Sequence, residues 1–103
     1  MPDIMTEDAE AIVSNLRRDV PKQPGRQRFR VEVKPGRGHE IVKIWYGQQR
    51  VGQYGIQRSS KPKRHNYIAA QLHLSRNDAY DLAKCPLDVD RYVDILEEKG
   101  EVQ

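Results

Sequence analysis

Three histidines and one short basic run are the side chains in this sequence best suited to act on another molecule. His39 follows the turn-like Pro35-Gly-Arg-Gly38, and His65 closes the run Arg58-Ser-Ser-Lys-Pro-Lys-Arg-His65. An imidazole can take up and return a proton near neutral pH. A metal-independent nuclease could use His39 or His65 as general base while Arg or Lys holds the scissile phosphate. The competing reading, an inert surface histidine, is favoured for both. His39, His65 and His73 lack metal-ligand spacing, and no HExxH motif or cysteine pair accompanies them, so neither metal nor cofactor is expected. Asp88, Asp90 and Asp94 cluster near one expected helix, where caps and solvated faces account for them.

The basic run has its own chemistry. Arg58, Lys61, Lys63 and Arg64 lie within seven residues, with Ser59 and Ser60 as small donors and Pro62, which cannot donate to a strand ladder. Mobile cations beside small donors suit phosphate recognition. A solvated loop, or an internal partner for the acidic C-terminal helices, fits the same residues. The wider charge distribution favours a polyanion. From Arg17 to His65 there are 14 Lys or Arg against 3 Asp or Glu, a net of +11, whereas residues 1–16 and 66–103 each carry −4. The overall +3 conceals this internal field, which would raise encounter rates with nucleic acid. Trp45, Tyr46 and Tyr54 lie close to basic residues and could stack on bases; for Trp45 and Tyr46, packing in the core is the favoured alternative.

At 103 residues, with 37% hydrophobic and 32% charged residues, the chain fits one small domain with a modest core. A dimer interface or a bound partner could supply further buried surface. The single Cys85 precludes an intrachain disulfide and lacks a nucleophile's partner. Beside Pro86 it reads as a small buried residue at a helix end. With no long apolar run and no apolar signal core at the N-terminus, the expectation is a cytoplasmic protein without a membrane span.

Elements must position these groups. Thr6 is expected to cap a first helix whose stripe is Ala9, Ile12, Val13, Leu16 and Val20, stopped by Pro21. Residues 21–26 read as a linker. Gln27 to Lys34 alternates as a half-buried strand, with Phe29, Val31 and Val33 inward and Arg28, Arg30 and Lys34 in an outward row. Glu40 to Tyr46 forms a second strand with apolar residues on both faces, so both are expected to be covered. Arg50 to Gln57 forms a third, where Gly52 and Gly55 suggest a bulge or a close backbone approach. In 66–74, Ile68, Ala70, Leu72 and Leu74 alternate as in an extended segment, which is the reading adopted, although Ala69-Ala70 would also suit a helix. Ser75 and Asp88 cap two short helices, the second with Val89, Tyr92, Val93 and Leu96 inward and Gly100 at its C-terminal cap.

From Thr6 to about Leu74, the order helix, three strands, basic segment resembles the double-stranded-RNA-binding domain. Gly36-Arg-Gly-His39 stands where that family carries Gly-Pro-x-His between its first two strands, here without the proline. Val51-Gly-Gln-Tyr-Gly-Ile56 leads to Ser60-Lys-Pro-Lys-Arg64, where the family's third strand leads to Ser-Lys-Lys-x-Ala-Lys. Here Pro62 replaces a lysine and no alanine follows. The resemblance covers about two thirds of the chain. It implies that His39 approaches a minor groove and that Lys61, Lys63 and Arg64 hold phosphates across the intervening major groove. HicA-type RNA-cleaving toxins look like a compact relative of that fold, with a Gly-Ser-His turn whose histidine is catalytic. Gly38-His39 is similar, without the serine.

The expectation is therefore one α+β domain over 1–103: an N-terminal helix, an antiparallel sheet of three to four strands and two short C-terminal helices, with 1–5 flexible. The expected function is non-catalytic binding of nucleic acid, duplex RNA ahead of DNA, through Arg28, Arg30, Lys34, Arg37, His39, Arg58, Lys61, Lys63 and Arg64. Two alternatives remain open. One is a metal-independent ribonuclease using His39. The other is an adaptor or inhibitor with an acidic protein partner, its acidic tail and Tyr92 forming the contact, or a homodimer.

Overall fold

Helix α1 (Thr6–Arg18) carries one apolar face, with Ala9, Ile12, Val13 and Leu16 all buried. The computed structural model describes residues 3–57 and 63–102. The helix start differs from expectation. Thr6 is the first helical residue rather than the cap, and the Asp8 carboxylate accepts the Met5 N–H at 2.9 Å. The helix end differs too. Pro21 biases Val20 away from helical backbone, the helix stops at Arg18, and Val20 is 57% exposed instead of completing the stripe. Within the segment 1–5, Ile4 is fully buried, and its N–H donates to Asn66 Oδ1 at 2.8 Å.

Strands β1 (Phe29–Pro35), β2 (His39–Tyr46) and β3 (Gln49–Gln57) form an antiparallel sheet in the order β1-β2-β3. Alternation buries Phe29, Val31, Val42, Ile44, Tyr46, Tyr54 and Ile56 on one face. The register slips between Ile44 and Trp45: Ile44 pairs with Gly52 and Trp45 with Arg50, leaving Val51 as an extra, buried residue. Gly52 is also a close backbone approach, since a Cβ there would lie 2.8 Å from the Gln71 carbonyl oxygen.

The largest correction concerns 66–74, which is not extended. Tyr67–Gln71 is a short helix, α2. Ile68 and Leu72, four residues apart, are both fully buried, with Ala69 beside them. His73 then adopts a left-handed φ of 61°, and the Leu74 N–H returns to the Ala69 carbonyl at 2.9 Å. This reversal turns Leu74 inward, so a helix followed by a left-handed cap mimics strand alternation in sequence.

Helix α3 (Arg76–Lys84) opens where expected, its Ser75 hydroxyl accepting the Asp78 N–H at 3.1 Å. It ends at Cys85, which takes a left-handed φ of 83° and is exposed, not buried as expected. Asp88 caps α4 (Val89–Glu98) by accepting the Arg91 N–H at 2.8 Å, and Gly100 reverses the chain at φ 74°. Among the described residues the fold is α+β: an N-terminal helix, a three-stranded antiparallel sheet and C-terminal helices, three of them where two were expected.

The helices gather on one face of the sheet. Tyr92 of α4 stacks on Phe29 with ring centroids 5.1 Å apart and donates to the Leu72 carbonyl at 3.1 Å. Tyr54 donates to the Ala9 carbonyl at 2.9 Å. Asn15 donates to the carbonyls of Leu82 and Ala83, both at 3.0 Å, and so ties α1 to α3. Burial raises the phenol pKa of both Tyr54 and Tyr92, so both remain donors. On the opposite face Ile41, Lys43 and Trp45 are only half-buried, against the expectation that both sides of β2 are covered. The connection 21–26 is fastened to α4. Asp90 accepts the N–H groups of Lys22 at 2.8 Å and Gln23 at 3.3 Å, and Arg26 contacts Asp90, Asp94 and Glu97.

Two stability predictions follow from this packing. Gly52→Ala should cost roughly 1–3 kcal/mol in urea unfolding, because the added methyl meets the α2 backbone. Gly55→Ala, whose nearest atom would be 3.8 Å away, should stay within about 0.5 kcal/mol of wild type; equal losses at both positions would refute the close approach. The second prediction concerns acid. The Lys22 N–H, then those of Gln23 and the Arg26 guanidinium, hold the Asp90 carboxyl below its ordinary value of 3.8. A lowered folded pKa gives stability that is present above the unfolded pKa and lost as pH falls through the folded one. The stability gap between wild type and Asp90→Asn should therefore be constant above about pH 5 and close below pH 3.8. A gap that persists unchanged at low pH would show that Asp90 does not act through its charge.

Candidate nucleic-acid interface

The strand register decides which cations meet. Pro35 pairs with Glu40 and His39 with Gln57, so the end of β1, the turn 36–38, the start of β2 and the end of β3 share one end of the sheet. Lys34, Arg37, His39 and Lys63 are exposed there. Arg64 joins them, pairing with Asp3 at 3.3 Å and bridging Met5. Arg58 and Lys61 lie outside the described residues.

Arg28 and Arg30 do not join this group. Arg30 is four residues from Lys34, roughly 13 Å along an extended strand. Arg28 donates to the Arg17 carbonyl at 2.7 Å, at the C-terminal end of α1. Arg30 pairs with Glu32 at 3.3 Å and lies over the Trp45 ring, 4.9 Å from its centroid. The outward row of β1 thus divides between the two ends of the sheet.

His39 and His65 have opposite environments. The His39 Nδ1 lies 2.8 Å from the Arg37 carbonyl oxygen. A carbonyl only accepts, so Nδ1 carries the proton of the neutral ring, and Nε2 is left with a lone pair. His65 is fully buried. The Gln57 N–H donates to its Nε2 at 3.0 Å, and its Nδ1 lies 2.8 Å from the Lys63 carbonyl oxygen. Both nitrogens are committed, so His65 is a clamp across the two flanks of the basic run and not a base. Thr6 adds to this anchoring, its hydroxyl accepting the Lys63 N–H at 3.3 Å.

Gly38, His39, Gly55, Gln57, Lys63 and Tyr67 line a cleft of about 480 Å³ at this end. Tyr67 was missed in the sequence. The residue is 41% exposed, its ring centroid lies 5.7 Å from that of His65, and the ring is held by a hydrogen bond from its hydroxyl to the Gly55 carbonyl. Partial burial pushes its phenol pKa up and keeps it a donor. Its exposure depends on α2, which the alternating pattern of 66–74 conceals in the sequence. Lys43 and Arg50 were also missed. The register puts both on the uncovered face, Arg50 opposite Trp45. Tyr92, considered as a contact residue for an acidic partner, is fully buried and cannot serve.

The acidic ends have internal work. Arg26 is enclosed by acids of α4, Lys84 meets Asp8 at 3.0 Å, and Asp3 faces Arg64 and Arg76. Among the described residues no carboxylate lines the cleft at His39. No helix among the described residues is long and apolar enough to cross a membrane. No protein-family model, curated protein or solved structure matches the chain.

Proposed function

We propose that this protein binds nucleic acid without cleaving it, gripping phosphates at the His39 end of the sheet, in a cytoplasmic setting. The observation that carries this reading is that Lys34, Arg37 and His39 share one sheet end, where His39 and Lys63 line a cleft without a described carboxylate. Exposed, unpaired cations are the groups that displace counterions from a phosphate backbone. The resemblance to the double-stranded-RNA-binding domain makes RNA the first ligand to test, with DNA beside it, and places His39 and Lys63 among the contacts.

The test is the salt dependence of binding to RNA and DNA oligonucleotides. The logarithm of the binding constant should fall linearly with the logarithm of salt concentration. Lys34→Gln, Arg37→Gln and Lys63→Gln should each reduce that slope by about 1. A binding constant indifferent to salt would end the proposal.

One observation favours a second reading, ribonuclease activity of the HicA type. His39 has its Nδ1 held by a backbone carbonyl and its Nε2 unprotonated in the neutral ring, the orientation a general base needs. On this reading wild type cleaves labelled RNA in the presence of chelator, and His39→Ala does not. Equal cleavage by both, or by neither, removes it.

A further inference from the structure

The cleft at His39 is the first of three that follow one another along β3. The second, about 420 Å³, is lined by Ile41, Arg50, Gln53, Tyr54, Tyr67 and Gln71, and shares Gly55 and Tyr67 with the first. The third, about 300 Å³, shares Arg50, Gln53 and Gln71 with the second and reaches His73. Together they form one groove between the outer edge of β3, which pairs with no further strand among the described residues, and the exposed side of α2.

The groove lining has a consistent chemistry. Cations stand at both ends, Lys63 and Arg50; the amides Gln57, Gln53 and Gln71 are spaced between them; Tyr67 sits at the junction of the first two clefts. No carboxylate lines any of the three among the described residues. From Gln57 to Arg50 the groove is roughly 23 Å long at strand spacing. That is at most about seven stacked nucleotides, and fewer in an extended strand.

We infer that this groove holds an unpaired nucleic-acid strand, with one base against Tyr67 and phosphates at Lys63 and Arg50. The inference rests on the proposed nucleic-acid function and names the form of the ligand. Each cleft is the size of a small-molecule site, roughly 300–1,000 Å³, and admits single nucleotides but not the width of a duplex. Amides can bond base edges, which only an unpaired strand presents on its pairing side. Tyr67 is already oriented by its bond to the Gly55 carbonyl and by the His65 ring, so little ordering is needed for stacking. An added peptide strand fits less well, because that same bond occupies an edge carbonyl of β3, the Gln57 N–H is already given to His65, and cations stand at both ends of the groove.

The test uses the full chain and a labelled RNA strand about ten nucleotides long, single or annealed to its complement. The single strand should bind more tightly than the duplex, as read by the fluorescence anisotropy of the label. Tyr67→Ala should weaken single-strand binding roughly 5- to 150-fold, the value of one base–aromatic stack, and Tyr67→Phe by no more than about threefold. Arg50→Gln, at an exposed position, should weaken it without affecting folding and should reduce the salt slope by about 1. If duplex binds better and Tyr67→Ala changes nothing while Lys63→Gln still weakens binding, the groove inference falls and the phosphate-binding function stands. Binding of neither these RNAs nor DNA of the same sequence, single or annealed, overturns both. Displacement of the single strand by poly-glutamate at equal charge, undiminished in Tyr67→Ala, would identify a generic polyanion site and overturn the inference.

Discussion

One-sided burial governs this molecule. A chain of 103 residues has too few apolar side chains to cover both faces of a sheet, and all the helix contacts that the structure makes with the sheet core fall on one side. Phe29, Ile44, Tyr46 and Tyr54 meet α1, α2 and α4 there, fixed by the stack of Phe29 on Tyr92 and by the phenol bonds from Tyr54 to Ala9 and from Tyr92 to Leu72. The other face must tolerate water, and its positions are filled by Arg30, Lys34, Lys43 and Arg50 around half-buried Ile41 and Trp45. The outer edge of β3 and the groove beside it follow from the same shortage, because α2 is only five residues long and reaches β3 closely at Gly52.

The charge partition of the sequence acquires a spatial meaning on this frame. A net of +11 between residues 17 and 65 is not one surface. Arg26 is neutralised by α4, Arg28 is bonded to the end of α1, and Arg30 is shared between Glu32 and Trp45. Among the described residues, the group at the His39 end, Lys22, and the pair Lys43 and Arg50 stay available to a partner. Exposed pairs such as Arg30–Glu32 are weak, so Arg30 can still yield to a phosphate. Arg26, enclosed by three carboxylates, is held in the fold.

Much of the fold was legible because it is local. The stripe Ala9, Ile12, Val13 and Leu16, the alternation of β1, and the caps at Ser75, Asp88 and Gly100 are set by neighbours within four residues, and each reads directly from side-chain type. Failures came where a backbone reversal changed the period. Left-handed His73 turned Leu74 inward and disguised α2 as a strand, and left-handed Cys85 carried the thiol outward at a position that looked like core. The candidate site was half legible. Lys34, Arg37, His39 and Lys63 were identifiable as cations and a histidine beside turns. The meeting of the first three depends on the pairings Pro35 with Glu40 and His39 with Gln57, and Lys63 reaches them through the His65 bonds to Gln57 and Lys63, contacts that side-chain type alone does not reveal. The separation of Arg28 and Arg30 from them has the same origin.

Preorganisation connects the fold to the proposed chemistry. A basic loop that is free at both flanks must lose conformational entropy when it meets a phosphate, and that cost weakens binding. Here His65 bonds Gln57 on one flank of the basic run and Lys63 on the other, while Thr6 and Ile4 hold the second flank to α1 and the N-terminal segment. The ordering of Lys63, Arg64 and Tyr67 is therefore completed during folding, by a buried neutral imidazole whose two nitrogens can satisfy both flanks only in one tautomer. A protonated ring could not accept the Gln57 N–H. The residue that looked in the sequence like a candidate base is better understood as the clamp that orders the neighbouring Lys63 and the Tyr67 ring.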